Sequence, residues 1–306
     1  MKNLISINDL SKEQAAQILD RAQFYFAKNQ TDNKSHPLLN GKILVNFFFE
    51  NSTRTRTSFE IAAKRLEAKV VNIDISLSSL KKNETLIDTA KTINAMRPDF
   101  VAIRHNSSGL VALLANYIHT SIINAGDGTN EHPSQALLDA FIIQKYKGEI
   151  KNLNIAICGD ILHSRVARSN IFLLTKFGAK INLISPPTLI NKDFEQWMAE
   201  QFAIKIYKNL TDGIKNADVI MCLRIQQERM IGCYISSHSE YHKLYGLDHN
   251  KLAAAKKDVI ILHPGPINRE VEISSKLADD ANFSVILNQV EAGVAVRQAI
   301  LEFLVS

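Results

Sequence analysis

Twice along this chain an apolar run that reads as a buried strand leads into helical spacing, and such alternation limits the fold to parallel sheets with crossover helices. In the first half, Gly41-Lys42 precede Ile43, Leu44, Val45, Asn46, Phe47, Phe48 and Phe49, a buried strand. Phe59, Ala62, Ala63 and Leu66 then recur at i, i+3, i+4 and i+7, the spacing of one apolar helix face. Between them lies Ser52-Thr53-Arg54-Thr55-Arg56-Thr57, with Ser52 as a natural N-cap, so arginines enter the first turn. A helix start already carries about half a positive charge, and arginine there costs roughly 0.3–1 kcal/mol unless an anion balances it. The run breaks a local rule, as functional sites do.

The same reading extends along the chain. Ser11 with Gln14 forms a capping box for an opening helix carrying Ala15, Ile18, Leu19, Ala22 and Phe26. Val70–Ile75 and Asp99–Ile103 are strand-like, with a loop over 76–84 and a helix over about 85–96 between them. Helical spacing covers 108–118, Ile122-Ile123-Asn124 is a strand, and Gly126-Asp127-Gly128 is expected to turn. Pro133 then starts a helix running to about Tyr146. After Lys147-Gly148 the alternation begins again, with strands at 153–158, 180–184, 218–223 and 258–262 and a long helix over about 288–304.

We therefore expect an α/β protein with two doubly wound parallel-sheet domains, residues 1–146 and 147–306, the terminal helix packing back on the first. The active site is expected in the cleft between them.

Bulk properties bound the function. With 306 residues, 46% of them apolar, the chain can bury a large core, and no apolar run approaches the roughly 20 residues needed to span a bilayer. The opening residues carry no signal-type apolar region, so a cytoplasmic protein is expected. Cys158, Cys222 and Cys233 form no CxxC pair, and the first and second of these sit in strand-like runs as packing residues. The net charge of +5 is spread along the chain without a zinc finger, an RNP-type cluster or a basic block, which fits small anions better than nucleic acid. HExxH, GxSxG and P-loop patterns are all missing, and Gly159-Asp160-Ile161 lacks dinucleotide-binding spacing. No metal and no cofactor are expected. What remains is chemistry by positioning and charge.

Ligands of open parallel sheets lie beyond the carboxyl ends of the strands. There the sequence sets Ser52–Arg56, Arg104, His132 with Gln135, Arg165, Arg224 with Gln226, and His263-Pro264-Gly265-Pro266. Guanidinium forks suit phosphate and carboxylate alike. Arg165 repeats the oddity of Arg54, entering a helix that Ser164 can cap. Arg224, read alone, fits a rim salt bridge as well as a ligand contact, and Lys81-Lys82 fit an exposed charged loop better than a site.

The segments STRTRTSFE (52–60), KKNETL (81–86), IRH (103–105), NAGDGTNEHPSQALLDA (124–140), GDILHSRVARSN (159–170), LRIQQER (223–229) and HPGPINREVEI (263–273) together closely resemble the catalytic chain of aspartate transcarbamoylases, in family order from end to end. The resemblance implies transfer of the carbamoyl group of carbamoyl phosphate to the amine of L-aspartate, in pyrimidine biosynthesis. By the same resemblance Ser52, Thr53, Arg54 and Thr55 bind phosphate, and Arg104 bridges phosphate and carbonyl. His132 bonds the carbonyl oxygen, and Gln135 with the backbone at Gly265-Pro266 holds the carbamoyl NH2. Arg165, Arg224 and Gln226 match residues that receive the aspartate carboxylates. Lys82, with Ser78 or Ser79, matches a loop reaching a neighbouring subunit's site, which implies a homotrimer.

Glu50 matches a glutamate that pairs with the counterparts of Arg165 and Arg229 on domain closure. Ornithine transcarbamoylases share STRTR and HPxQ but carry an HCLP motif, whereas His263–Arg269 and Arg224-Ile225-Gln226 here favour a second carboxylate. A non-catalytic anion-binding paralogue is disfavoured because each matched position is filled. Asn83 replaces a usual glycine, an exchange asparagine tolerates. The sequence leaves open the base for the amine and any regulatory subunit or pathway-enzyme partner.

Overall fold

The structure is a computed structural model that describes residues 3–73, 84–202, 204–230 and 232–306. Its strands form two separate all-parallel sheets, each in its own compact unit. Residues up to Phe141 with Val290–Ser306 make unit 1, and Ile142–Gln289 make unit 2.

The unit 1 sheet contains β1 (Ile43–Phe48), β2 (Lys69–Ile73), β3 (Phe100–His105) and β4 (Ser121–Asp127), in the order β2-β1-β3-β4. On one face Val45, Phe47, Val101, Ile103 and Ile122 pack against Ala90, Ile93, Val111 and Leu114. Each of these side chains larger than alanine contributes about 1.5–3 kcal/mol. The helix Thr53–Arg65 buries Phe59, Ala62 and Ala63, the face expected from their spacing. The terminal helix Ile286–Val305 supplies unit 1 with Arg297, over the Phe59 ring, and Glu302, bonded to Arg21 at 2.8 Å.

Unit 2 contains β5 (Asn154–Cys158), β6 (Lys180–Ile184), β7 (Lys205–Tyr207), β8 (Val219–Cys222) and β9 (Ile260–Leu262), in the order β7-β6-β5-β8-β9. Ala156, Ile184, Ile220, Ile261, Leu252 and Leu277 belong to its main core. Cys158 and Cys222 face each other in register across β5 and β8, and burial pushes both thiols up, as packing residues require.

Two expectations need correcting. Gly126-Asp127 do not turn: β4 continues through Asp127, and the turn falls at residues 128–130. The pairing slips there, from Ile103 opposite Asn124 to His105 opposite Asp127, so one extra residue bulges from β4. Gly126, at φ 131, provides the backbone freedom for that bulge. The helical spacing over 108–118 yields only Leu110–Leu114, entered through Gly109 at φ 84.

Candidate active site

Each sheet has one switch point, where connections leave neighbouring strands in opposite directions: between β1 and β3 in unit 1 and between β5 and β8 in unit 2. The polar residues singled out above lie largely at these two places.

In unit 1, Phe48 of β1 stands beside Arg104 of β3. The chain leaves β1 through Glu50, and Arg104 Nε donates to Glu50 Oε2 at 2.9 Å. The helix Thr53–Arg65 begins here, with Arg56 N–H donating to the Ser52 carbonyl at 3.2 Å. Ser52 takes the N-cap position, yet its hydroxyl accepts no bond from the helix, unlike the expected cap. The Ser52 hydroxyl is therefore not committed to its own helix start, which suits a place where an anion is received. Thr55 is buried, whereas Thr53, Arg54 and Arg56 are exposed. His105 Nδ1 accepts from Ser107 N–H at 2.9 Å. Burial lowers the His105 pKa, with Glu50 and Asp127 acting the other way.

His132 stands just before the helix Pro133–Lys147 and is buried; its carbonyl accepts from Gln135 and Ala136 N–H at 3.0 and 3.2 Å. The preceding Glu131 accepts from Ile7 N–H at 2.9 Å and from the Ser6 hydroxyl, which anchors this helix start. One turn in, Gln135 Nε2 donates to the buried Asp139 Oδ1 at 2.9 Å.

In unit 2, β5 is followed by Gly159, whose φ is 126 and where a Cβ would lie 2.9 Å from the Leu223 carbonyl oxygen. Only glycine lets the ends of β5 and β8 approach this closely. Asp160 is fully buried and accepts from His163 N–H at 3.1 Å and Gln226 N–H at 3.2 Å, with His163 Nδ1 at 2.9 Å. Arg229 Nη1 donates to the His163 carbonyl at 3.0 Å. Ser164 does cap its helix, accepting from Ala167 N–H, and Arg165 follows it, buried at 4% exposure.

Arg224 pairs with Glu228, and its Nη2 lies 3.5 Å from Gln226 Oε1. The surface ion pair, one of the two readings of Arg224, is therefore present. Beyond β9, Gly265 N–H donates to His263 Nδ1 at 2.9 Å, and the Gly265-Pro266 peptide is cis. Glu272 is buried and accepts from Ile225 N–H at 2.9 Å, Asn268 N–H at 2.9 Å and Asn268 Nδ2 at 2.8 Å. It thus ties the loop of Arg224 and Gln226 to the segment after Pro266.

Two family models match this chain. Residues 2–145 match the aspartate/ornithine carbamoyltransferase carbamoyl-P binding domain, and residues 151–304 match the Asp/Orn binding domain of the same family. The chain belongs to the aspartate/ornithine carbamoyltransferase family. It is 53% identical to an aspartate carbamoyltransferase catalytic subunit of Ruegeria pomeroyi, over 99% of this chain and 96% of the relative. With the corresponding Rhodospirillum rubrum subunit it shares 50% identity, over 99% of this chain and 93% of the relative. Among solved structures it resembles the catalytic subunit of M. jannaschii aspartate transcarbamoylase, with a TM-score of 0.85 at 36% identity over 100% and 98% of the two chains. The Trypanosoma cruzi aspartate transcarbamoylase with carbamoyl phosphate and aspartate gives 0.89 at 29%, over 99% and 96%.

Like other members of the carbamoyltransferase family, the chain carries paired α/β units with all-parallel sheets. Ser52, Thr53, Arg54, Thr55, Glu50 and Arg104 gather at the unit 1 switch point, and Arg165, Arg224, Gln226 and Arg229 at that of unit 2. Lys82, Ser78 and Ser79 lie outside the described residues. Asp139, Asp160 and Glu272, the buried carboxylates that fasten these loops and helices, were given no role by sequence reasoning. For Glu272 a signal existed, since Val271 and Ile273 flank it. Among the described residues no helix is long and apolar enough to cross a membrane.

Proposed function

We propose that this chain transfers the carbamoyl group of carbamoyl phosphate to the amine of L-aspartate, giving N-carbamoyl-L-aspartate and phosphate. The bond between the amine nitrogen and the carbonyl carbon forms, the bond from that carbon to the phosphate oxygen breaks, and the amine loses a proton. Ser52, Thr53, Arg54 and Thr55 hold the phosphate at a helix start whose N–H groups and dipole favour an anion. Thr55, Arg104 and His132 donate to the carbonyl oxygen as charge develops on it. Gln135 and the Gly265-Pro266 backbone hold the carbamoyl NH2, and Arg165, Arg224 and Gln226, with Lys82, receive the aspartate carboxylates.

The observation that carries this reading is the division of the guanidinium groups between the two switch points, in a chain half identical to named aspartate carbamoyltransferase subunits along nearly its whole length. The two ligands together bring about four negative charges, which accounts for these groups. We further propose a cytoplasmic homotrimer with shared sites, serving pyrimidine biosynthesis, and closure in which Glu50 pairs with Arg165 and Arg229.

A colorimetric ureido assay with carbamoyl phosphate and either aspartate or ornithine decides the reaction: product with aspartate is expected, and product with ornithine alone would overturn it. Mixing inactive Lys82→Ala and Arg54→Ala proteins should restore part of the activity after subunit exchange. No recovery would count against shared sites.

A further inference from the structure

The helix Pro133–Lys147 contains a buried carboxylate that the reaction as described does not use. Gln135 Nε2 donates to Asp139 Oδ1 at 2.9 Å, and Asp139 is fully buried. A carboxylate presents only acceptors, so the amide nitrogen of Gln135 must turn toward it and the amide oxygen must turn away.

A buried cation lies on the terminal helix. Arg297 is 3% exposed and donates from Nη1 to the Gly293 carbonyl at 2.9 Å. Its guanidinium carbon lies 5.1 Å from the ring centroid of Phe59, on the helix that begins with Thr53-Arg54. A Cβ at position 293 would lie 2.8 Å from Arg297 Nη1, so glycine there makes the room. Burial lowers the Arg297 pKa to about 10, with Asp139 acting the other way, and the guanidinium stays charged at neutral pH. Burying two ions is costly unless each meets a partner. A buried carboxylate retained on a helix face that apolar residues could fill calls for a use beyond packing.

We propose that Asp139 fixes the Gln135 amide with its carbonyl oxygen turned to the acyl phosphate, so that the pocket selects carbamoyl over acetyl phosphate. The inference rests on the carbamoyl-phosphate reading above. The two ligands have nearly the same shape and differ in NH2 against CH3. An acceptor of fixed direction bonds the first and is left unpaired by the second, the kind of asymmetry that gives large discrimination. Asp139 touches no substrate in this scheme and is a positioning residue.

The test is calorimetric binding of carbamoyl phosphate and of acetyl phosphate to the intact protein, with Asp139→Asn and the charge-free pair Asp139→Leu/Arg297→Met. The second variant avoids stranding a buried arginine, and melting temperature is followed for both. Asparagine offers an acceptor or a donor, so Gln135 can turn either way; leucine offers neither. Wild type is expected to prefer carbamoyl phosphate. That preference should shrink about tenfold in the double variant, as expected for one hydrogen bond, and less in Asp139→Asn, while acetyl phosphate affinity stays within about twofold. Affinities for both ligands falling together would mean a merely structural role, and a preserved preference would equally overturn the proposal. A wild type that binds neither ligand would instead overturn the proposed function.

Discussion

Arg104 Nε donates to Glu50 Oε2 at 2.9 Å, joining the end of β3 to the turn that leaves β1. Both side chains are less than one-fifth exposed, so the pair fixes the Arg104 guanidinium that we propose to donate to the carbonyl oxygen. Glu50→Ala should lower kcat about tenfold while phosphate affinity changes less than about threefold, because the proposed phosphate ligands Ser52–Thr55 belong to another element. Steady-state kinetics beside phosphate titration checks this, and an unchanged kcat would exclude a part for Glu50.

Gly159→Ala should destabilise the protein by about 2–4 kcal/mol, since the new methyl group would press on the Leu223 backbone from a φ that alanine rarely adopts. The damage lies in unit 2, so aspartate saturation should suffer more than carbamoyl-phosphate binding. Chemical denaturation and the two KM values measure both effects.

Asp160→Asn and Glu272→Gln each place an amide NH2 near N–H groups that now meet a carboxylate. Each exchange should cost about 1–3 kcal/mol of stability and raise the aspartate KM severalfold, because both carboxylates hold the loop of Arg224 and Gln226. Aspartate saturation curves that match wild type would show the loop held by other contacts.

Burial lowers the His105 pKa from its ordinary 6.5. Just below 6.5 the unfolded chain therefore binds more protons at this residue than the folded one. His105 then adds stability as pH rises through that window, and the contribution is lost as pH falls through it. Melting temperatures taken from about pH 7.5 down to about pH 5 should decline, and His105→Asn, which keeps an acceptor for Ser107 N–H, should flatten the slope. An identical slope in the variant would place the titration elsewhere.

Much of the fold was legible because its signals are local. Phe59, Ala62 and Ala63 state their helix face by spacing alone, and Ser164 states its cap by position. β7 escaped notice because Lys205, Ile206 and Tyr207 are too few to show a period. Gly126 resembles a turn residue, and only pairing with β3 reveals the bulge instead. In the candidate site the arginines stood out because they violate helix-end electrostatics. Asp139 and Asp160 did not, since an acidic residue in a helix or after a strand reads as solvated until its long-range partners are known. The hydroxyl of Ser52 was expected to bond its own helix, and no pattern in the residues signals that it does not.

The terminal segment Val290–Ser306 groups with the first 141 residues. Unit 2 is thus inserted into unit 1, and the ribosome makes all of it before the helix that brings Arg297 to Phe59 and Glu302 to Arg21. During synthesis β1 to β4 and the helix that carries Arg54 emerge early but wait longest for their full core. A nascent chain that has made all of unit 2 still lacks the closing segment of unit 1. Shortening the terminal helix should accordingly damage the carbamoyl-phosphate half of the protein, although the residues removed are far from it in sequence.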